Sequence, residues 1–348
     1  MNAQRDSASV PVSSWRSARL FVTDEFAAPP VILRVNDSVI GTLGNFSAST
    51  GKAKSKKTFN VCAIVAAAMT GGTVLNYSAS LPPERRRILY VDTEQSRFHC
   101  KRVLCRILRL AGLPTDTHPP LLEFLCLRGY ATNERLRKIE EAIYDLDDLG
   151  LVVIDGIRDL AHDINSPGEA TDLITKLMQW TDERRIHIHT VLHLNKGDDN
   201  TRGHLGTELN NKAETVLQIT KDDFDRDVSS VAAMHIRDRD FEPFAFRINA
   251  DALPEPVKDY QFRPTTAAKS FDYAEVCEAK HREALELLFS EADRVSYSSL
   301  IGRLQSSYAA IGHSFGINKA KQLKVFLENK RMIVKEDKFY RYNPEFHY

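Results

Sequence analysis

Two stretches of this chain set phosphate-handling and metal-handling groups side by side. Gly51-Lys52-Ala53-Lys54-Ser55-Lys56-Lys57-Thr58 has the spacing GxxxxGK(S/T), with Lys56 standing where the second glycine belongs. In such a loop the backbone amides and the following helix N-terminus cradle phosphate oxygens, the last lysine reaches the outer phosphates, and the hydroxyl holds Mg²⁺. Lys57 and Thr58 occupy those two positions. A glycine supplies unusual backbone angles without steric cost, so the chain at Lys56 is expected either to avoid positive φ or to carry mild strain. Four lysines in the seven residues from Gly51 to Lys57 also fit a solvated basic loop that does no chemistry.

The second stretch is Leu151-Val152-Val153-Ile154-Asp155, an apolar run ending in a carboxylate suited to a metal-bound water, although many buried strands end this way. A third run, Ile88-Leu89-Tyr90-Val91-Asp92-Thr93-Glu94, ends in Glu94, which could polarise a water as general base or cap the helix that follows. Thr190-Val191-Leu192-His193-Leu194-Asn195-Lys196 ends in polar groups able to sense a terminal phosphate, and Arg237 and Arg239 offer two cations late in the chain.

These groups need a scaffold that gathers strand ends at one edge. Short apolar strands at 87–91, 122–127, 151–154, 188–192 and 213–219 alternate with helical stretches at 57–69, 98–111, 133–148 and 169–184, which predicts a parallel sheet covered on both faces. The alternating segment 231–248 fits an antiparallel pair on one sheet edge. The expected organisation is a flexible arm at 1–30, able to reach a neighbouring subunit, an α/β domain at 31–253, a linker at 254–274 and a small domain at 275–348. That last segment reads as three helices, 281–291, 297–307 and 319–328, and a hairpin turning at Glu336-Asp337, a winged-helix pattern.

The 348 residues are 43% hydrophobic and 27% charged, which excludes general disorder. Lys and Arg together number 47, as do Asp and Glu, so no global field selects nucleic acid or membrane. Five cysteines without metal or redox spacing predict reduced thiols, no zinc and a cytoplasmic location. No signal segment and no run of about 18 apolar residues is seen, so no membrane partner is expected.

Taken together, the segments from about Ile40 to Ile248 resemble the RecA-like P-loop ATPases of the hexameric replicative helicase branch, DnaB-type helicases and RepA-like plasmid helicases. Gly44-Asn45-Phe46-Ser47 and the glycine-replaced loop are also similar to ATPases carried by bacterial mobile elements. The resemblance implies ATP and Mg²⁺ as cofactors. Gly51, Ala53, Lys54, Ser55, Lys56, Lys57, Thr58 and Phe59 would bind the nucleotide, with Thr58 and Asp155 on the metal, Glu94 as catalytic base and His193 in the sensor position. It further implies a homo-hexameric ring in which Arg237 and Arg239 reach the neighbour's site. Lys196, Arg202 and His204, within a channel loop at 196–210, would bind single-stranded DNA. In the C-terminal unit Lys319, Lys321, Lys324 and Lys338 form an expected duplex-DNA footprint, with a protein-docking role for the same face as the alternative.

Overall fold

The computed structural model describes residues 14–194, 203–262, 271, 273 and 276–346. The chain divides into two compact units, residues 1–261 and 262–348.

In the first unit the elements are, in order, β1 (Val31–Val35), β2 (Ser38–Thr42), β3 (Phe46–Gly51), α1 (Lys57–Thr70), β4 (Thr73–Val74), β5 (Tyr77–Ala79), β6 (Arg87–Asp92), α2 (Arg97–Leu110) and β7 (Leu122–Cys126). They continue with α3 (Thr132–Asp145), β8 (Leu149–Asp155), α4 (Pro167–Arg184), β9 (His187–His193), α5 (Gly203–Lys212), β10 (Thr215–Lys221), β11 (Val228–Ile236), β12 (Phe244–Ile248) and β13 (Pro254–Val257). Among the described residues the central sheet has the order β13-β12-β11-β10-β3-β9-β8-β6-β7. The run from β10 to β7 is parallel, and β11 to β13 extend it as antiparallel neighbours. α1 and α2 pack on one face and α3, α4 and α5 on the other. This is a RecA-like α/β P-loop fold with a mainly parallel sheet.

Two differences from the sequence reading have plain physical causes. The strand that feeds the lysine-rich loop is β3, Phe-Ser-Ala-Ser-Thr-Gly, buried along its length but too polar to register as an apolar run. β1 and β2 join β5 and β4 in a separate antiparallel sheet. That sheet and the central one enclose α1, whose sequence is apolar on every side because it is buried on nearly every side. Pro254–Val257, read as the beginning of the linker, pairs with β12, since a proline is tolerated on an edge strand where no ladder amide is required.

The polar content of β3 is matched across the sheet by β9. Ser49 Oγ lies 2.9 Å from His189 Nε2, His189 Nδ1 lies 2.8 Å from Ser47 Oγ, Ser47 Oγ lies 2.7 Å from His187 Nε2, and His187 Nδ1 lies 2.9 Å from the Thr42 carbonyl. A carbonyl only accepts, so His187 carries its proton on Nδ1, and the remaining donors fall into one direction from Ser49 to Thr42. All four side chains are buried and mutually satisfied.

The second unit contains α6 (Glu278–Phe289), β14 (Val295–Ser296), α7 (Tyr297–Ala310), α8 (Ile317–Asn329), β15 (Ile333–Glu336) and β16 (Phe339–Tyr342). Its antiparallel sheet has the order β14-β16-β15, and Asp337, at the β15–β16 turn, has φ 55°. Leu285, Leu300, Leu304, Tyr308, Leu323 and Leu327 form its core. No helix among the described residues is long and apolar enough to cross a membrane.

Burial lowers the pKa of His187 and pulls that of His189 down to about 3, each of them further affected by neighbouring charge. An unfolded imidazole titrates near 6.5, so below that pH the unfolded chain takes up protons that the folded chain refuses, and stability falls as pH drops. His189 contributes a slope of up to about 1.4 kcal/mol per pH unit, and His187 acts in the same direction. Asp155, raised to about 6 by burial, acts in the opposite sense. Denaturant melts should therefore show stability falling as pH drops from about 6.5 to about 5.5, the histidines outweighing Asp155 over that interval; a flat profile would refute the neutral histidine chain.

Candidate nucleotide site

β3 ends at Gly51, and the chain must turn sharply before α1 begins at Lys57. A Cβ at Gly51 would stand 2.3 Å from the Ile219 carbonyl oxygen and 2.5 Å from Ser55 Oγ, so only glycine fits there. The turn is completed by left-handed backbone at Lys54 (φ 64°) and Lys56 (φ 68°). Lys56 thus adopts the conformation of the glycine it replaces, at a cost of about 1–2 kcal/mol for an L-residue. The non-positive φ expected as one alternative does not occur, because the loop geometry admits no other route into the helix. The Lys56 ammonium reaches the Arg226 carbonyl at 2.6 Å on the β10–β11 turn.

The helix start is electrostatically bare. Lys56 caps α1 without a side-chain hydrogen bond and the first turn holds no acidic residue. Its amides and the positive end of its dipole therefore have no internal anion, which suits a bound phosphate. Ser55 Oγ is buried without a hydrogen-bond partner in the same loop. An orphaned hydroxyl beside an uncapped helix start fits a polyphosphate group.

Lys57 is buried, and its ammonium donates to the carbonyls of Gly51 (2.8 Å) and Lys52 (2.9 Å) and lies 3.0 Å from His193 Nδ1. Burial lowers its pKa to about 8, partly countered by Asp155 and Glu94. An ammonium can only donate, so His193 accepts at Nδ1 and presents Nε2–H to Glu94, whose Oε1 is 3.6 Å away. That contact, helped by Lys57 and Arg158, holds the Glu94 carboxyl below its ordinary range despite burial. Glu94 is placed by Asp92, which accepts from the amides of Glu94 (3.0 Å) and Gln95 (2.7 Å). Gly156 leaves room for it: a Cβ there would come within 2.8 Å of Glu94 Oε1.

Thr58 Oγ1 donates to Asp155 Oδ2 at 2.8 Å, and Tyr90 donates to the same oxygen at 2.9 Å. Asp155 is buried, and desolvation together with Asp92 raises its pKa to about 6. A hydroxyl and a carboxylate in contact beside a phosphate cradle are hard oxygen donors of the kind Mg²⁺ uses, so these residues fit that ion.

One cleft of 370 Å³ is lined by Lys57, Thr58, Glu94, Asp155 and His193 together with Lys54, Ser55, Lys56 and Phe59. Ala53 sits at the exposed tip of the loop. Sequence reasoning missed Asp92, Tyr90 and Gly156, and also Gln95, Arg102 and Arg106 of the lining. Arg106 lies 3.8 Å above the Phe59 ring and donates to the Ala252 carbonyl. Its only sequence signal is its place four residues after Arg102 on α2, one helical turn further along the same face.

Other expected residues lie elsewhere. β11 is antiparallel to β10, which runs parallel to β3, so Arg237 and Arg239 follow the end of β11 at the sheet edge opposite the loop. Both are exposed; Arg237 donates to the Lys212 carbonyl, and neither lines the cleft of its own chain. Lys196 and Arg202 lie outside the described residues. The expected channel loop is corrected over its last part: residues 203–210 belong to α5, whose Leu205 and Leu209 are buried against α4, and His204 is exposed on its first turn. In the second unit Lys321 and Lys338 are exposed and Lys319 lies 4.9 Å from the Tyr273 ring. Lys324 departs from the expected open footprint, because its ammonium is paired with Glu328 at 2.5 Å and covered by Tyr340.

Gly51→Ala should lose at least about 2 kcal/mol of stability, since a backbone carbonyl cannot give way. Lys56→Gly should cost nothing or gain up to about 1 kcal/mol as the left-handed strain is relieved. Paired chemical melts of the two variants check both; equal destabilisation would contradict the backbone assignment.

Two solved structures are similar to this chain at low identity. The RadB recombinase is 14% identical with a TM-score of 0.45, covering 62% of this chain and 92% of its own. A KaiC-like protein, PH0186 from the hyperthermophilic archaeon Pyrococcus horikoshii OT3, is 14% identical with a TM-score of 0.43, covering 62% and 91%. No curated protein matches the sequence. The family model for an AAA domain, AAA_25, matches residues 16–199, which hold the lysine-rich loop, Glu94, Asp155 and His193. That span is more than half of the 348 residues, and the chain belongs to this AAA domain family.

Proposed function

We propose that the protein hydrolyses ATP and couples nucleotide state to DNA as a ring-forming RepA-like helicase or translocase. The observation that carries the ATPase reading is the convergence of Lys57, Thr58, Asp155, Glu94 and His193 in one cleft around uncapped helix amides. The loop amides, Ser55 and Lys57 would hold the phosphates, and Thr58 with Asp155 would hold Mg²⁺, which supplies charge neutralisation on the phosphate oxygens when bound. Glu94, ionised and set by Asp92, accepts a hydrogen bond from the attacking water and orients it. His193 links Lys57 to Glu94, so a phosphate that draws Lys57 off the Gly51 and Lys52 carbonyls also changes what holds Glu94.

The ring supports itself on the position of Arg237 and Arg239. At the far edge of the sheet they can complete only another copy's site, where one would serve as the arginine finger. For DNA, the support is the C-terminal unit, whose three helices and β-hairpin we read as a winged helix with Lys319, Lys321 and Lys338 toward phosphates. Lys196, Arg202 and His204 complete the reading as single-strand contacts.

A second reading, an ATP-gated DNA-binding regulator or replication initiator without unwinding, is favoured by the way Lys57 is already bound to its own loop carbonyls. Steady-state hydrolysis with and without single-stranded DNA separates the two. Glu94→Gln should retain nucleotide binding and lose at least about 100-fold in turnover, and Lys57→Ala should lose both. DNA-stimulated turnover with strand separation supports the motor; nucleotide-dependent DNA binding without it supports the regulator. Full activity in Glu94→Gln would overturn the base assignment.

A further inference from the structure

Two thiols meet beside the end of β6, next to the nucleotide cleft but outside its lining. Cys126 is the last residue of β7 and lies opposite Asp92 in the β6–β7 ladder. Two positions earlier in the same register Tyr90 and Phe124 stack at 4.6 Å, within the part of the core that packs against α2. Side chains two apart on a strand share a face, so Cys126, like Asp92, is turned toward α2.

Cys100 stands on the first turn of that helix. It is buried, its Sγ lies 3.6 Å from the Gln95 carbonyl oxygen, and it is within hydrogen-bonding reach of both the Asp92 carboxylate and the Cys126 thiol. Burial, with the Asp92 charge beside it, pushes the Cys100 thiol up, which makes it a poor first nucleophile. Cys126 is partly exposed and lines a groove of 750 Å³ through which a small oxidant can reach it. The pair therefore joins an accessible thiol to a protected one. Of the other cysteines, Cys62 is buried in α1, Cys105 lies further along α2, and Cys277 is exposed in the second unit.

We propose that Cys126 and Cys100 form a peroxide-sensing pair whose oxidation to a disulfide displaces Glu94 and so slows hydrolysis. In the first step the Cys126 sulfur attacks one oxygen of hydrogen peroxide and the O–O bond breaks. The departing hydroxide takes the proton lost from the Cys126 thiol and leaves as water, with a sulfenic acid at Cys126. In the second step the Cys100 sulfur attacks the Cys126 sulfur and the S–O bond breaks; the Cys100 proton leaves with that hydroxide as a second water. Each sulfur gives up one electron, and the peroxide takes both.

The link acts on the connector 93–96 between β6 and α2. Asp92 holds that connector by accepting from the Glu94 and Gln95 amides and, at 2.8 Å, from the Gln95 side chain. A covalent bond to Cys126 removes the Cys100 proton that faces Asp92 and draws the first turn of α2 toward the end of β7. The connector moves with the helix start, and Glu94 leaves its place beside His193. Lys57 and its loop follow β3, a different strand, and keep the phosphates. The effect on turnover rests on the ATPase reading; formation of the disulfide does not.

The test treats the full chain carrying Cys277→Ser with hydrogen peroxide, maps its peptides without reductant, and follows hydrolysis, nucleotide binding and hydrogen exchange on the same samples. A peptide linking Cys100 to Cys126 should form and be separated by dithiothreitol. Oxidation should lower turnover at least about tenfold, leave nucleotide affinity unchanged and speed exchange at the Glu94 and Gln95 amides, all reversed by the reductant. Cys100→Ala should stop at a Cys126 sulfenic acid that dimedone labels, and Cys126→Ser should keep its turnover in peroxide. Absence of the linked peptide, a link that leaves exchange at Glu94 and Gln95 unchanged, or inhibition that survives Cys126→Ser would each overturn the proposal. A reduced chain without turnover would sink the ATPase reading instead, and the link and the exchange would still decide whether the pair moves Glu94.

Discussion

A single buried ammonium organises the nucleotide cleft. Lys57 lies at the start of a helix whose dipole repels it, in a loop already rich in positive charge, and burial alone would favour its neutral form. It is held by two backbone carbonyls of the turn that precedes it and by a histidine on the neighbouring strand. The histidine contact exists only because β3 and β9 are adjacent, and it in turn fixes the tautomer that faces Glu94. Much of the cleft follows from satisfying one charge in a place that disfavours it.

The same economy governs the carboxylates. Asp155 sits deep enough that its ionisation is opposed, yet two hydroxyls, from Thr58 on α1 and Tyr90 on β6, both point at one of its oxygens. Asp92, one strand over, spends its acceptors on the amides that position Glu94. Three acids at the ends of two adjacent strands thus divide into a metal-side group, a scaffold group and a water-side group by their hydrogen bonds alone. Acid type gives no hint of that division.

Beneath the cleft, the serines and histidines of β3 and β9 form a buried polar seam through the sheet. Its value depends on every member being matched, because a half-satisfied buried network costs more than an apolar one. The seam also explains why β3 is hard to recognise: a strand flanked on both sides by others usually reads as a hydrophobic run, and here half of it is hydroxyl.

From the sequence alone, Lys57 and Thr58 could be singled out by the spacing of the glycine- and lysine-containing loop, and Glu94, Asp155 and His193 because each follows an apolar run at a strand end. The helices and most parallel strands were legible for the same reason, since their periodicities are local. The hydroxyl-rich β3 was not, nor was the role of β1 and β2, because polar strands acquire burial only from partners far away in the chain. Tertiary structure alone decided that Lys56 takes a left-handed backbone, that Asp92 and Gly156 place Glu94, that Lys324 is spent on Glu328 and that Arg237 and Arg239 lie across the sheet from the cleft. A residue's type sets the chemistry it can perform; which partners reach it depends on strand order, and strand order is a property of the packed sheet.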